Sequence, residues 1–382
     1  MLPPTPAVTF VNPLDVDGFA EPRGHGCVAV AALPLLFFLP GMDGSLTTPF
    51  MQYPSLGASF ELRCMQHSGE LGSRCTFEDL TAACADEVAA ATSGGRRAVM
   101  VGESFGATLA IAVAHRLQQQ QQQQQQQHGL VGLCLVNPAT SYARSRLARF
   151  GPLCASLTGP LYPLYPLSLV LFAALVLSPM QAPAFASMLL SAKSPALLAS
   201  PHREAWLGRV ALSAFLGQRG PGLAIGKLLA VQIFAPEDLA FRLEHWLDHG
   251  AALVDEAGLA SELRLPAMCV VGENDRLLPS LDEAARLAQQ FGSRWRGTVA
   301  VPGAGHASTL GVRVDLCAVL REGFGAELAL RPQEQTPQMP RGDKSSGLWR
   351  GMLDRAFPPL DPTTYTQWNR GGELWPGRAR AR

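Results

Sequence analysis

Charge is scarce in this chain. Of its 382 residues only 16% are Asp, Glu, Lys or Arg, against roughly 25% in an average soluble domain, while 47% are hydrophobic. That balance, with a mean hydropathy of +0.11, excludes a disordered tail or solvating linker. Net charge is missing altogether. The 31 basic residues equal the 31 acidic ones, so no long-range field would hold the chain on nucleic acid or an anionic membrane. No nucleic-acid partner is expected, and any affinity for lipid has to come from apolar surface. The eight cysteines (Cys27, Cys64, Cys75, Cys84, Cys134, Cys154, Cys269 and Cys317) form no CxxC pair and no regular spacing, which argues against a zinc cluster or a disulfide framework. No HExxH, Walker loop or dinucleotide fingerprint appears, so neither a metal nor an organic cofactor is expected. The first residues (MLPPTPAVTFVNPLD) lack a basic n-region, a long apolar core and an Arg/Ser-rich amphipathic stretch, so no targeting peptide is visible.

What is present is a repeating pattern. Short apolar runs rich in Val, Leu, Phe or Cys are each followed by a glycine-marked turn and an Ala/Leu-rich helical stretch, as in a parallel α/β sheet. Strands are predicted at 34–40, 60–65, 97–103 and 129–137, with two more at 266–274 and 297–303. They are continuous enough in hydrophobicity to be covered on both faces. Cys64, Cys134 and Cys269 fall within them, where a thiol acts as a small core hydrophobe. Thr76 with Asp79 opens one helix, and Pro279, Ser280 and Glu283 open another as a capping box.

The alternation fails between Ser141 and about Ser261. The predicted organisation is an N-terminal segment (1–33), a first part of the core (34–140), a helical lid insertion (141–260), a second part of the core (261–325) and a tail without a core of its own (326–382). Ten glutamines, Gln118 to Gln127, extend a helix or surface loop and bury nothing. Within the insertion, the 43 residues from Phe150 to Ala192 include no charged residue and no histidine. Prolines at 160, 163, 166, 179 and 183 cut this run into pieces shorter than the roughly 20 residues a spanning helix needs. Three readings stay open: a lid that lines an acyl pocket or dips into a membrane interface, plain core, or a spanning segment.

Gly102-Glu103-Ser104-Phe105-Gly106 matches GxSxG between a predicted strand and a predicted helix, the setting of a nucleophile elbow. So sharp a turn needs small residues two positions either side of the serine. The pentapeptide alone is weak, but an acid and a histidine follow in the order this type of site uses. Asp275, just past a strand in VVGENDRLLP, is placed to orient an imidazole, with Glu273 and Asp282 as competing acids. It could instead cap the following helix or pair with Arg276. His306, in VPGAGHAST after the last strand, is the best-placed base of the eight histidines. Backbone donors for an oxyanion would come from Phe105 and from Met42, in the glycine-bracketed turn LPGMDG.

The set LPGMDG, VGESFG, LVNPATS, GENDRLLP and GAGH resembles an α/β-hydrolase of the esterase, lipase and thioesterase group. More narrowly, over residues 34–325 it resembles the plant and algal phytyl ester synthase and diacylglycerol acyltransferase family. That resemblance implies an α/β-hydrolase fold with a mostly parallel sheet and a helical lid, and Ser104, Asp275 and His306 as nucleophile, acid and base. It further implies a chloroplast enzyme that moves fatty acyl groups from a lipid ester or thioester onto phytol or diacylglycerol. No histidine here has an aspartate five positions later, so the HxxxxD motif of the family's acyltransferase-like half is absent and only the hydrolase half is matched. Water and an alcohol therefore both stay open as acceptors. The alternative, from another class, is a catalytically idle hydrolase scaffold that binds a lipid or a partner protein through the insertion.

Overall fold

A computed structural model of the chain describes residues 8–15, 33–42, 44, 48–49, 52–67, 74–124, 128–158, 236–309, 314–330, 366–368 and 374–376. All six predicted strands form: β2 (Leu35–Leu39), β3 (Glu61–His67), β4 (Ala98–Glu103), β5 (Leu130–Val136), β6 (Ala267–Gly272) and β7 (Trp295–Val301). They run parallel in the order β3-β2-β4-β5-β6-β7. Alternate side chains serve opposite faces. Leu35, Phe37 and Leu39 enter one apolar cluster and Leu36 and Phe38 the other, and both faces are covered. This is why the strands read as unbroken apolar runs.

Three further strands were not expected. β1 (Val8–Val11) lies in the N-terminal segment and pairs antiparallel with β3. In the segment read as a tail without a core, β8 (Thr366–Trp368) and β9 (Leu374–Pro376) continue the sheet antiparallel beyond β7. Each is only three or four residues long, too short for a period-2 signal to stand out.

The helices of the core are α1 (Tyr53–Gly57), α2 (Phe77–Thr92), α3 (Phe105–Gln124), α8 (Ser280–Phe291) and α9 (Leu316–Phe324). The described parts of the insertion are helical too: α4 (Arg146–Ala155), α5 (Pro236–Phe241), a π-helical stretch (Arg242–Asp248), α6 (His249–Glu256) and α7 (Leu259–Glu262). Residues 159–192, most of the charge-free run, lie outside the described residues. Among the described residues no helix is long and apolar enough to cross a membrane. The first seven residues of the glutamine tract continue α3.

One capping expectation holds and one does not. At α2, Asp79 N–H donates to Thr76 Oγ1 at 3.1 Å and Thr76 N–H to the Asp79 carboxylate at 3.2 Å, a complete capping box. At α8 the box is absent, because both partners are engaged elsewhere. The Ser280 hydroxyl donates to Asp275, and the buried Glu283 carboxylate accepts from Thr140, Ser141 and Arg286. Cys64, Cys84, Cys134, Cys269 and Cys317 are buried with free thiols, and burial pushes the acidity constants of Cys64, Cys84, Cys134 and Cys269 upward.

The α9 face of the sheet depends on one ring. Phe324 is fully buried and its ring occupies the space where a side chain at Gly132 of β5 would stand, 2.3 Å from a Cβ built there. Phe324→Ala should lower the unfolding free energy by about 3–5 kcal/mol, measured by urea denaturation. A loss under about 1 kcal/mol would mean that α9 does not pack on β5 as described.

Candidate active site

The turn from β4 into α3 carries Ser104, which stands at φ 55°, in the left-handed region. A non-glycine residue there costs on the order of 1–3 kcal/mol and persists only if its surroundings dictate it. Three backbone hydrogen bonds do so. Ser104 N–H donates to Val136 C=O at 2.8 Å, and Ser104 C=O accepts from Ala107 at 3.0 Å and Ala139 at 3.2 Å. The flanking glycines are required by space: a Cβ at Gly106 would lie 2.0 Å from Leu39 O, and one at Gly102 would lie 2.3 Å from Gly106 O.

The structure brings Ser104, His306 and Asp275 together across 202 and 31 residues of sequence separation. His306 Nε2 lies 2.9 Å from Ser104 Oγ, and Nδ1 lies 2.8 Å from Asp275 Oδ2. The Asp275 side chain is only 1% exposed. Its other oxygen accepts from Leu277 N–H at 2.9 Å and Leu278 N–H at 3.0 Å, and Ser280 donates to Oδ2. Burial alone would raise the acidity constant of this carboxyl, but the His306 charge and hydrogen bond, with Ser280 and Leu278, outweigh it and hold the group below its ordinary value. An ionised Asp275 accepts from Nδ1–H, which leaves Nε2 as the acceptor for the Ser104 hydroxyl.

Glu273 and Asp282, the competing acids, are exposed and take no part. Among the other histidines, His115 pairs with Glu262 at 2.8 Å, His249 with Glu78 at 2.6 Å, and His245 lies against the Phe241 ring. Phe105 is the first residue of α3, where N–H groups have no acceptor within the helix. Met42 lies two residues past Pro40, whose carbonyl oxygen a Cβ at Gly106 would approach to 2.5 Å, so both expected oxyanion donors stand at the same strand ends.

Two residues that pattern reading did not assign hold the site. Asn137, at φ 42° after β5, is fully buried. Its Oδ1 accepts from Gly272 N–H at 2.8 Å, and its Nδ2 donates to Ser308 Oγ at 2.9 Å and to His306 C=O. A Cβ at Gly272 would meet Gly305 O at 2.1 Å, so the histidine loop lies directly over the end of β6 with Asn137 as its strut. Gln52 holds the far side of this loop, donating to Val314 C=O at 2.9 Å and accepting from Leu316 N–H at 3.2 Å. Asn137 stands in the quoted LVNPATS stretch, but its partners are 135 to 171 residues away, so no local signal gives its role.

Asn137→Asp should cost about 1–3 kcal/mol of stability, because the new oxygen faces the His306 carbonyl instead of donating to it. An unchanged melting temperature would remove the strut. For Asp275 the folded-state acidity constant is depressed, so its contribution is present above the unfolded value of about 3.9 and is lost as pH falls through the folded value. The stability gap between wild type and Asp275→Asn should therefore be full at neutral pH and close below about pH 4 in denaturant titrations. A gap independent of pH would contradict the depressed value.

No protein-family model matches the chain. Over 122 residues, 31% of this chain and 16% of the other, it is 37% identical to the chloroplast protein phytyl ester synthase 1 of Arabidopsis thaliana, so the match spans only a small part of that protein. Among solved structures, a serine hydrolase from Cycloclasticus zankles aligns with TM-score 0.49 and 12% identity over 77% of this chain and 90% of its own. A thermophilic esterase from Thermogutta terrifontis aligns with TM-score 0.45 and 16% identity over 77% and 90%. A carboxylesterase from Bacillus subtilis gives 0.46 and 13% over 77% and 84%. By the order of its sheet and the connection that carries Ser104, the chain has the α/β-hydrolase fold, and over the matched stretch it is similar to a plant phytyl ester synthase.

Proposed function

We propose that this chain is a serine-dependent acyl hydrolase or acyltransferase that works on lipid esters through an acyl-enzyme. The observation that carries the reading is the unbroken hydrogen-bonded line from Ser104 through His306 to the buried Asp275, with the serine on a strained turn at a strand end. Ser104 Oγ attacks the acyl carbonyl carbon while His306 Nε2 takes the hydroxyl proton. The carbonyl oxygen gains the charge and is met by the Phe105 and Met42 amides, each worth about 3 kcal/mol of barrier at such a site. Collapse breaks the bond to the leaving alcohol or thiol, which receives the proton from His306. Water or a second alcohol, activated by the same imidazole, then cleaves the acyl-enzyme and restores Ser104. Asp275 stays ionised throughout, holding the ring and stabilising its charged form.

A lipid substrate is supported by the likeness to phytyl ester synthase 1 and by the composition of the insertion. Phe150 and Leu153 on α4, at the start of the charge-free run, are 49% and 62% exposed, apolar surface of the kind a lipid interface accepts. The same likeness supports phytol as acceptor and the plastid as compartment, while diacylglycerol rests on the family resemblance of the sequence motifs.

A fluorophosphonate probe should label the wild type and leave Ser104→Ala unlabelled; equal labelling of both would remove Ser104 from this role. Asp275→Asn should cut turnover of a short p-nitrophenyl ester by about 10⁴-fold, since the imidazole then settles in the wrong tautomer. Product analysis with a labelled acyl donor, with and without phytol or diacylglycerol, separates the acceptors: ester formation means transfer, free fatty acid alone means hydrolysis.

A further inference from the structure

One turn of the insertion reaches both residues whose amides face the developing charge in this reading. In the π-helical stretch, Arg242 Nη1 donates to the Met42 carbonyl at 2.5 Å. Its guanidinium lies over the Trp246 ring, 4.7 Å from the centroid. Trp246 stacks on the ring of Phe105 at 5.1 Å with 18° between planes, and its indole N–H donates to Cys75 C=O at 2.8 Å. Phe77 also meets the Phe105 ring, edge-on at 6.0 Å. Met42 carbonyl, guanidinium, indole and Phe105 ring thus form one continuous stack, with Trp246 and Phe105 fully buried.

We propose that Arg242 and Trp246 are positioning residues that fix the Met42 and Phe105 amides relative to each other. The two donors come from different connections and need a separate constraint. The Phe105 amide is rigid as part of a helix start. Met42 sits in a turn bracketed by Gly41 and Gly44, in which Gly44 N–H donates to Gly41 C=O at 2.9 Å, and a glycine-bracketed turn pivots easily. An oxyanion donor has to stand within about 2.7–3.1 Å of its target, so a pivot of a fraction of an ångström removes most of its effect. Arginine suits the task, because its planar fork donates in a fixed direction while its face stacks on the indole. A π-helical turn is rare and recurs at functional sites, consistent with a backbone shaped to deliver these two side chains together.

The inference rests on the acyl-enzyme reading of Ser104, and the experiment separates the two. Wild type, Arg242→Met, Arg242→Lys and Trp246→Phe are compared for fluorophosphonate labelling, kcat and KM on a short p-nitrophenyl ester, melting temperature, and inhibition by an alkyl boronic acid, whose tetrahedral serine adduct puts an oxygen between the two amides. Arg242→Met should lower kcat about 10- to 100-fold and weaken the boronate by a similar factor, with KM within about twofold of wild type. Arg242→Lys should recover part of both losses, and Trp246→Phe, which keeps a stacking ring, should show the smaller drop. Boronate affinity unchanged within about twofold, or a loss of kcat matched by a rise in KM, would overturn the positioning role. Should Arg242→Met not fold, Arg242→Lys and Trp246→Phe carry the same comparison, and unchanged boronate affinity in both overturns it. A wild type that takes no label at Ser104 defeats the acyl-enzyme reading itself, whereas a labelled wild type with unaffected variants defeats only the positioning role.

Discussion

The candidate site of this molecule hangs on one close approach of two backbones. Leu39 of β2 is in register with Gly102 of β4, and the first turn of α3 is pressed so tightly on the end of β2 that a Cβ at Gly106 would stand 2.0 Å from Leu39 O. Nothing larger than glycine fits. The approach forces the chain to turn within a single residue between strand and helix, which is why Ser104 takes a left-handed φ and projects its hydroxyl clear of the sheet. It also sets the Met42 turn beside the serine, since β2 and β4 are neighbours although another strand separates them in sequence. A site at the carboxyl ends of adjacent parallel strands, where the order of the sheet reverses, follows from the topology.

Much of this was legible in the sequence. The six apolar runs appear as six parallel strands because burial on both faces leaves a signal that composition alone carries. The elbow was legible because its glycines are a steric necessity written within five residues. The acid and the histidine were placed by a simpler rule, that each follows a strand and so emerges at the same edge. What could not be read is set by tertiary contacts or lies in elements too short to carry a pattern. Ser280 and Glu283 have the right spacing for a capping box, yet their side chains are claimed by Asp275 and by Thr140, Ser141 and Arg286. Asn137, Gln52 and Arg242 act on partners more than a hundred residues away. The edge strands β1, β8 and β9 are too short to show a period.

Polar contacts of the same kind explain how an insertion of changed composition is held to the α/β core. Glu283 is almost fully buried on α8, and its carboxylate gathers the Thr140 and Ser141 hydroxyls at the point where the insertion begins. Arg286, one turn further, pairs with Glu283 and reaches Asp255 on α6, where the insertion returns. A buried ion pair of this kind gives little net stability against an apolar replacement, but losing one partner leaves an uncompensated charge at a cost of about 3–5 kcal/mol. Its effect is therefore on which arrangement is adopted: any docking that separates these groups is penalised, whatever apolar contacts it makes. The Arg242 and Trp246 stack lies in the same returning limb as Asp255. Contacts that fix the insertion on α8 thus also fix the turn that touches Met42 and Phe105, and the geometry around Ser104 depends on a segment that contributes none of its three hydrogen-bonded side chains.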